Sequence, residues 1–404
     1  MRVVVVGSGG REAALAEVLG RTAEVVVTPG NPGIPGSVST APDELEADLF
    51  VIGPEHLLVD GLADRLRAAG KLVFGPGADG AQVEGSKAFM KDLASAAGVP
   101  TARYGTFSEV APALEFLRSL PPPYVVKTDG LAAGKGVLVT PKLAEAEADV
   151  EDKLAGSSFG DAGRRVVIEE GLSGPEVSVF AICDGTRAIA LAPAQDFKRV
   201  GDGDRGPNTG GMGAYCPLPW LDPGFADDVI ERFVHPTLDE LRRRGIDYRG
   251  VLYVGLMVTP DGPKLVEYNV RFGDPDSQVV LLRLTSDLTA LLASAAAGAL
   301  IDAPTEADDA AVLVVAASEG YPLSPRVGDA IEGLDAARAV VGATVYCAGV
   351  GSGDADQLVT AGGRVLNVVG RGRDLAAARA VAYEALGHVS WPGLHHRTDI
   401  AGEI

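Results

Sequence analysis

The chain has 404 residues, a formal charge of −20, 47% hydrophobic residues, three cysteines and 52 glycines, about 13% against a usual share of ~7%. With no three-residue glycine period and ample hydrophobic content, collagen and disorder are excluded, and the negative charge argues against nucleic acid as a partner. Cys183, Cys216 and Cys347 are too scattered for a disulfide framework or a zinc site, the apolar run Val3–Val6 is too short for a leader, and no stretch reaches the ~18 apolar residues of a membrane span, so a cytoplasmic protein of two to four domains at ~150 residues each is expected.

Residues 1–100 predict a small doubly wound α/β domain. Val3–Val6, Val25–Val27, Leu49–Ile52 and Leu72–Phe74 have the pattern of buried parallel strands, with helices over Arg11–Leu19 and Leu57–Ala69. After the second strand the Gly/Pro-rich Pro29–Ser39 leaves the crossover helix missing or reduced to about one turn. Each strand ends in Gly or Pro, which places a ligand at the carboxyl edge of the sheet. Ser86 caps a helix over Lys87–Ala97, which Gly98 and Pro100 end. The second region, 101–188, carries strands at Tyr124–Lys127, Val137–Val139, Val166–Glu169 and Glu176–Ile182 and a helix over Lys142–Leu154. The third, 189–303, carries strands at Val251–Val258 and Lys264–Val270 and helices over Phe225–Arg243 and Leu288–Leu300. The tail, 304–404, begins within the acidic link Asp302–Asp309 and mixes strands at Ala311–Ala317 and Val365–Val369 with a helix over Leu375–Gly387.

Five stretches carry chemistry. Gly7-Ser8-Gly9-Gly10-Arg11-Glu12 lies at a strand-to-helix turn, whose backbone N–H groups suit an anion. Glu12 breaks the dinucleotide fingerprint, and Thr28-Pro29 offers no acid for an adenosine ribose, so a phosphosugar site, a dinucleotide site and a structural turn all stay open. Residues 127–137 (KTDGLAAGKGV) lie between two strands and miss Walker A spacing. They read either as a Gly-rich hairpin over a triphosphate, with Lys127 and Lys135 neutralising charge, or as a solvated surface hairpin. Glu169-Glu170-Gly171 ends a strand that could offer its backbone edge to a purine, with Glu176 for a ribose hydroxyl; a solvated strand end reads as well. The loop 195–215 is long and Gly-rich yet charged, a functional signature: Asp196 suits a substrate amine, and Lys198 with the amides of Asn208, Thr209, Gly210 and Gly211 suits anions. Glu267 and Asn269, two apart on a strand, share a face and suit Mg²⁺ (or Mn²⁺), while Arg271 continues that face and can clamp a phosphate; a solvated strand face is the alternative. The five histidines show neither zinc nor hydrolase spacing.

In order, GSGGRE (7–12), GPE (53–55), EGSKAFMKD (84–92), DGLAAGKGV (129–137), the loop QDFKR to GPNTGGMGAY (195–215) and YNVRFGDP (268–275) resemble the ATP-grasp superfamily and, within it, the glycinamide ribonucleotide synthetases (phosphoribosylamine–glycine ligases), over almost the whole chain. The resemblance implies a multi-domain α/β (α+β) ATP-grasp fold. Its parts are an N-terminal doubly wound parallel-sheet domain (1–100), a small subdomain with the Gly-rich hairpin (101–188), a large subdomain (189–303) and a C-terminal α+β domain (304–404) that closes over the site. It also implies ATP and Mg²⁺ or Mn²⁺ as cofactors, with glycine and phosphoribosylamine joined through glycyl phosphate by a monomer.

By the same resemblance, Lys87 and Lys127 contact the ATP phosphates under Gly130, Ala133, Gly134, Lys135 and Gly136. Glu169 and Glu170 line the adenine pocket, Glu176 takes the ribose, and Glu267 and Asn269 hold the metal. Arg271, Asp196 and Lys198 serve the reacting groups. Gly9, Gly10 and Arg11 take the phosphoribosylamine phosphate, and Asn208, Thr209, Gly210, Gly211, Met212, Gly273 and Asp274 form the substrate wall. The basic residues beside these loops are expected to make a local positive pocket. The chain departs from the family pattern at Ala13 and Phe197, where His is usual, at Cys216, where Ser is usual, and in its shortened first domain; these changes are expected to weaken phosphoribosylamine handling. Another ATP-grasp carboxylate–amine ligase and, from a different class, a nicotinamide-binding oxidoreductase are the alternative readings.

Overall fold

Four parallel strands lie side by side in the order Glu24–Pro29, Arg2–Gly7, Leu49–Ile52 and Val73–Phe74. Val3–Val6 is fully buried, as a central strand covered on both faces requires. The computed structural model describes residues 1–131, 136–156, 165–302, 304–354 and 357–402. After the second strand only the 3₁₀ turn Pro42–Glu44 remains of a crossover helix, as the Gly/Pro-rich run predicts. The helix expected over 57–69 is two, Glu55–Val59 and Leu62–Ala68, because Gly61 adopts φ +77° between them and interrupts the helical backbone. An additional helix, Ala78–Gly85, leads to Lys87–Ala96, whose cap is the Ser86 hydroxyl accepting from Phe89 N at 3.1 Å.

A small antiparallel sheet follows, in the order Tyr104–Phe107, Val166–Glu170, Tyr124–Thr128, Val137–Thr140. Helices Val110–Arg118 and Leu143–Leu154 join Val126 and Ile168 in a core separate from the two larger ones. The strand Glu176–Asp184 belongs to a third sheet, in the order Ala188–Ala190, Glu176–Asp184, Arg249–Thr259, Gly262–Asn269. The boundary expected at 188/189 therefore falls inside a hairpin, and the small sheet ends at Glu170.

The boundary at 304 is also crossed by hydrogen bonds. Gln195–Asp196 and Gly213–Cys216 pair into a five-stranded sheet with Ala310–Ala317, Arg364–Gly372 and Ala343–Cys347, and the helix Leu375–Leu386 packs against Arg364–Gly372. The ends of the long loop are thus anchored in the tail's sheet. Besides Ala78–Gly85, two further helices of eight residues or more among the described residues escape the sequence pattern. Every residue of Asp276–Arg283 is buried, so no polar face marks its period, and Pro112 in the first turn of Val110–Arg118 reads as a loop signal. Among the described residues no helix is long and apolar enough to cross a membrane.

Candidate active site

The carboxyl edge of the parallel sheet, the small sheet, the third sheet and the tail surround one cavity of about 930 Å³. The strand Gly262–Asn269 places Glu267 and Asn269 on its cavity face, with Asn269 Nδ2 3.5 Å from Glu267 Oε1. Arg271 lies just beyond the strand end. Its Nη2 donates to Asn269 Oδ1 at 3.2 Å and to Glu84 Oε1 at 3.0 Å, and its Nε to Glu55 Oε2 at 3.3 Å. Burial opposes its charge, but Glu84 and Glu55 outweigh that and raise its pKa. Burial likewise opposes ionisation of Glu267, yet Lys198, Lys127 and Lys87 around it lower its pKa overall. Glu267 offers an ionised carboxylate, and Asn269, which here turns Nδ2 toward Glu267 and Oδ1 toward Arg271, brings a second hard oxygen when that carbonyl leaves Arg271. Among the described residues no cluster of three metal-ligating side chains occurs, so the pair fits an ion such as Mg²⁺ that completes its shell with phosphate and water.

Lys127, on Tyr124–Thr128, faces the cavity with its Nζ 2.7 Å from Glu169 Oε1, and the buried Lys91 takes Glu169 Oε2 at 2.8 Å. Both oxygens of Glu169, which is part of the cavity wall, are therefore engaged by lysines. Glu170 lines the cavity beside it; its Oε1 accepts from Arg103 N at 3.0 Å and lies 3.5 Å from Lys264 Nζ. Lys87 donates to Gly130 O at 2.9 Å. Gly130 itself is set back from the wall while Gly136 is in it; Ala133, Gly134 and Lys135 lie outside the described residues.

Across the cavity, Lys198 is ion-paired with one oxygen of Glu176, which lines the wall. Burial would lower the Lys198 pKa, but Asp196 and Glu176 carry it well above the usual value. Asp196 is pushed up to about 8 by burial, against the pull of Lys198 and with Asp276, Glu176 and Glu267 adding repulsion. Asn208, Thr209, Gly210, Gly273 and Asp274 line the cavity as expected of a substrate wall. Gly211 and Met212 do not: Gly211 turns at φ +113° against Pro275, and Met212 is wholly buried.

The first-domain turn is used internally. Gly9 N donates to Glu12 Oε2 at 2.6 Å, and a Cβ on Gly10 would lie 2.2 Å from Asn367 Nδ2, so Gly10 admits the tail rather than a ligand. Arg11 reaches the cavity wall but gives Nε to Glu12 Oε1 at 2.5 Å and Nη1 to Phe272 O at 3.1 Å. The anion site expected of Gly9 and Gly10 has no free amide at Gly9, and the dinucleotide reading loses its only motif. The expected positive pocket is also corrected. The described wall carries ten carboxylates against seven cations, and the cations are largely paired within the protein.

Glu55, Glu84, Asp276, Tyr253, Tyr321 and Arg364 complete the wall without having been singled out. Glu55 and Glu84 sit in the GPE and EGSKAFMKD stretches, which held the signal. Arg364 has none in sequence: its Nη1 donates to Gly210 O and to Asp274 O, each at 2.7 Å, from 154 and 90 residues away. The departures at Ala13, Phe197 and Cys216 all lie off the wall. Ala13 is buried in its helix, the Phe197 ring lies 4.9 Å from the Arg397 guanidinium, and Cys216 Sγ accepts from Arg283 Nη1 at 2.9 Å.

Three family models match successive parts of the chain: Phosphoribosylglycinamide synthetase N domain over residues 1–84, ATP-grasp (A) domain over 85–277 and C domain over 311–403. A phosphoribosylamine–glycine ligase from Streptomyces coelicolor is 48% identical over 422 residues, covering 100% of this chain and 99% of that protein. The crystal structure of a phosphoribosylamine–glycine ligase from Thermotoga maritima superposes with a TM-score of 0.89 at 34% identity, covering 99% of this chain and 100% of that one. The biotin carboxylase domain of the Hydrogenobacter thermophilus 2-oxoglutarate carboxylase, solved with ADP–magnesium and bicarbonate, shares the fold at a TM-score of 0.70 and 16% identity, covering 98% of this chain and 91% of that one.

Proposed function

The chain belongs to the phosphoribosylglycinamide synthetase family, and from that premise we propose that it joins glycine to 5-phosphoribosylamine in purine biosynthesis, converting ATP to ADP and phosphate. One observation carries the reading: Lys87, Lys127, Glu267, Asn269 and Arg271 converge on a single cavity between the small and third sheets. The purine lies against the apolar end formed by Val125, Val137, Leu172, Met257 and Val266, beside the backbone of Glu170 and Gly171. Lys87 and Lys127 meet the phosphates. Glu267 and Asn269 would hold Mg²⁺ or Mn²⁺, which when bound offsets phosphate charge that a wall rich in carboxylates cannot.

Arg271 orients the glycine carboxylate, whose oxygen attacks the γ-phosphorus and expels ADP. Asp196 receives the glycine ammonium. Phosphoribosylamine enters between the wall at Arg11 and Glu55 and the loop at Asn208–Gly210. Its amine attacks the acyl carbon of glycyl phosphate, phosphate leaves with one former carboxylate oxygen, and the nitrogen gives up a proton. The protein contributes positioning and charge compensation rather than a strong acid–base pair. The enzyme acts as a cytoplasmic monomer. Purified protein with Mg²⁺ should release ADP only when glycine and phosphoribosylamine are both present. ADP release independent of glycine, or greater turnover on another amino acid in a panel at fixed ATP, would overturn the assignment.

A further inference from the structure

Lys91 is charged, wholly buried and does not line the cavity. It lies four residues after Lys87 on the helix Lys87–Ala96, and its Nζ donates to Thr101 Oγ1 at 2.7 Å and to Glu169 Oε2 at 2.8 Å. The other Glu169 oxygen holds Lys127 Nζ at 2.7 Å. One carboxylate, 3% exposed, is thus shared by two lysines, of which only Lys127 faces the cavity.

This sharing matters for a lysine that must meet phosphate. To reach a nucleotide, Lys127 has to loosen from Glu169, and a buried carboxylate left without a partner is strongly unfavourable. With Lys91 in place, Glu169 keeps a full counter-charge on its second oxygen throughout. Thr101 Oγ1 fixes Lys91 in turn by accepting from it while donating to Leu265 O at 2.7 Å. We propose that Lys91 is a resident counter-ion that keeps Glu169 compensated while Lys127 turns to a nucleoside triphosphate, which makes Lys91 a positioning residue for ATP binding. The inference rests on the reading that Lys127 meets the ATP phosphates.

The test uses the full chain and measures ATP affinity by calorimetry together with KM for ATP and for glycine. K91M should weaken ATP binding about tenfold or more, the size of one lost charge-assisted contact, and leave the glycine KM within about twofold. K91M/E169Q should recover most of the loss, because a neutral amide neither needs a counter-ion nor holds Lys127 back, and K91R should stay within about threefold of the parent. An unchanged ATP affinity in K91M, or a double variant no better than K91M, overturns the inference; so does an equal loss for ATP and glycine, the mark of a mere structural pin. Should K91M not fold, K91M/E169Q is compared with E169Q. The two should bind ATP within about twofold of each other, and a further loss of about tenfold in the double variant overturns the inference. Failure of the parent to bind ATP would overturn the functional reading itself, whereas normal binding by the parent and an unmoved K91M would overturn only the role of Lys91.

Discussion

Replacing Arg271 by Met removes the cation at the centre of the first-domain side of the cavity. The guanidinium is bonded to Glu84 at 3.0 Å, Asn269 at 3.2 Å and Glu55 at 3.3 Å, with side-chain exposures of 19% for Arg271, 9% for Glu84 and 29% for Glu55. Taking one partner from a buried ion pair costs about 3–5 kcal/mol. Here the cost is smaller, because burial raises the Glu84 pKa against the pull of Arg271, which lessens the penalty for leaving that carboxyl without its partner, and Glu55 retains some water. A loss of about 2–3 kcal/mol follows. At about 2.1 cal/mol/K per residue, a chain of this length unfolding as one unit would lower its melting midpoint by only roughly 2–4 °C. R271M/E84Q should regain about 1–2 kcal/mol of that, the coupling expected of contacting residues. Because Arg271 also bonds the Asn269 carbonyl and, in the proposed reaction, orients the glycine carboxylate, kcat/KM for glycine should fall by about 10²–10³. Calorimetry and glycine kinetics on the four members of the cycle check both effects. Additive stabilities, or an R271M variant as stable and active as the parent, would refute the network.

Glu267→Ala should abolish turnover while costing nucleotide binding only modestly, measured by calorimetry with ADP and Mg²⁺; comparable activity would remove Glu267 from the metal site. Asp196→Asn gives a pH signature. The folded-state pKa of Asp196, about 8, lies above its ordinary value of 3.8, so its contribution to stability is fully present below pH ~4 and is lost as pH rises through ~8. The stability of D196N relative to the parent should therefore rise between those limits and level off above them; a difference that does not vary with pH contradicts the buried-carboxyl assignment.

Much of the fold was legible because it rests on local pattern. The four β-branched runs of the first sheet, the Ser86 cap and the period-two placement of Glu267 and Asn269 are set by residues within a few positions of one another. What stayed hidden depends on partners far apart in sequence. Asp276–Arg283 has no polar face because it is covered on every side. The pairing of Gly213 with Val314, which ties the long loop to the tail, leaves no trace in either segment. Gly10 reads as a phosphate-facing glycine until Asn367 is seen against it. The same holds for charge: Lys127, Lys198 and Arg271 suggest a positive pocket, but Glu169, Glu176, Glu84 and Glu55 converge on them only in three dimensions.

The central claim is that this cavity activates the glycine carboxylate as an acyl phosphate for attack by an amine. Turnover with glycine labelled with ¹⁸O in both carboxylate oxygens, followed by mass analysis of the released phosphate, tests it most directly. The account predicts one ¹⁸O in each phosphate formed and one retained in the amide product. Unlabelled phosphate accompanying ADP and amide formation would contradict it.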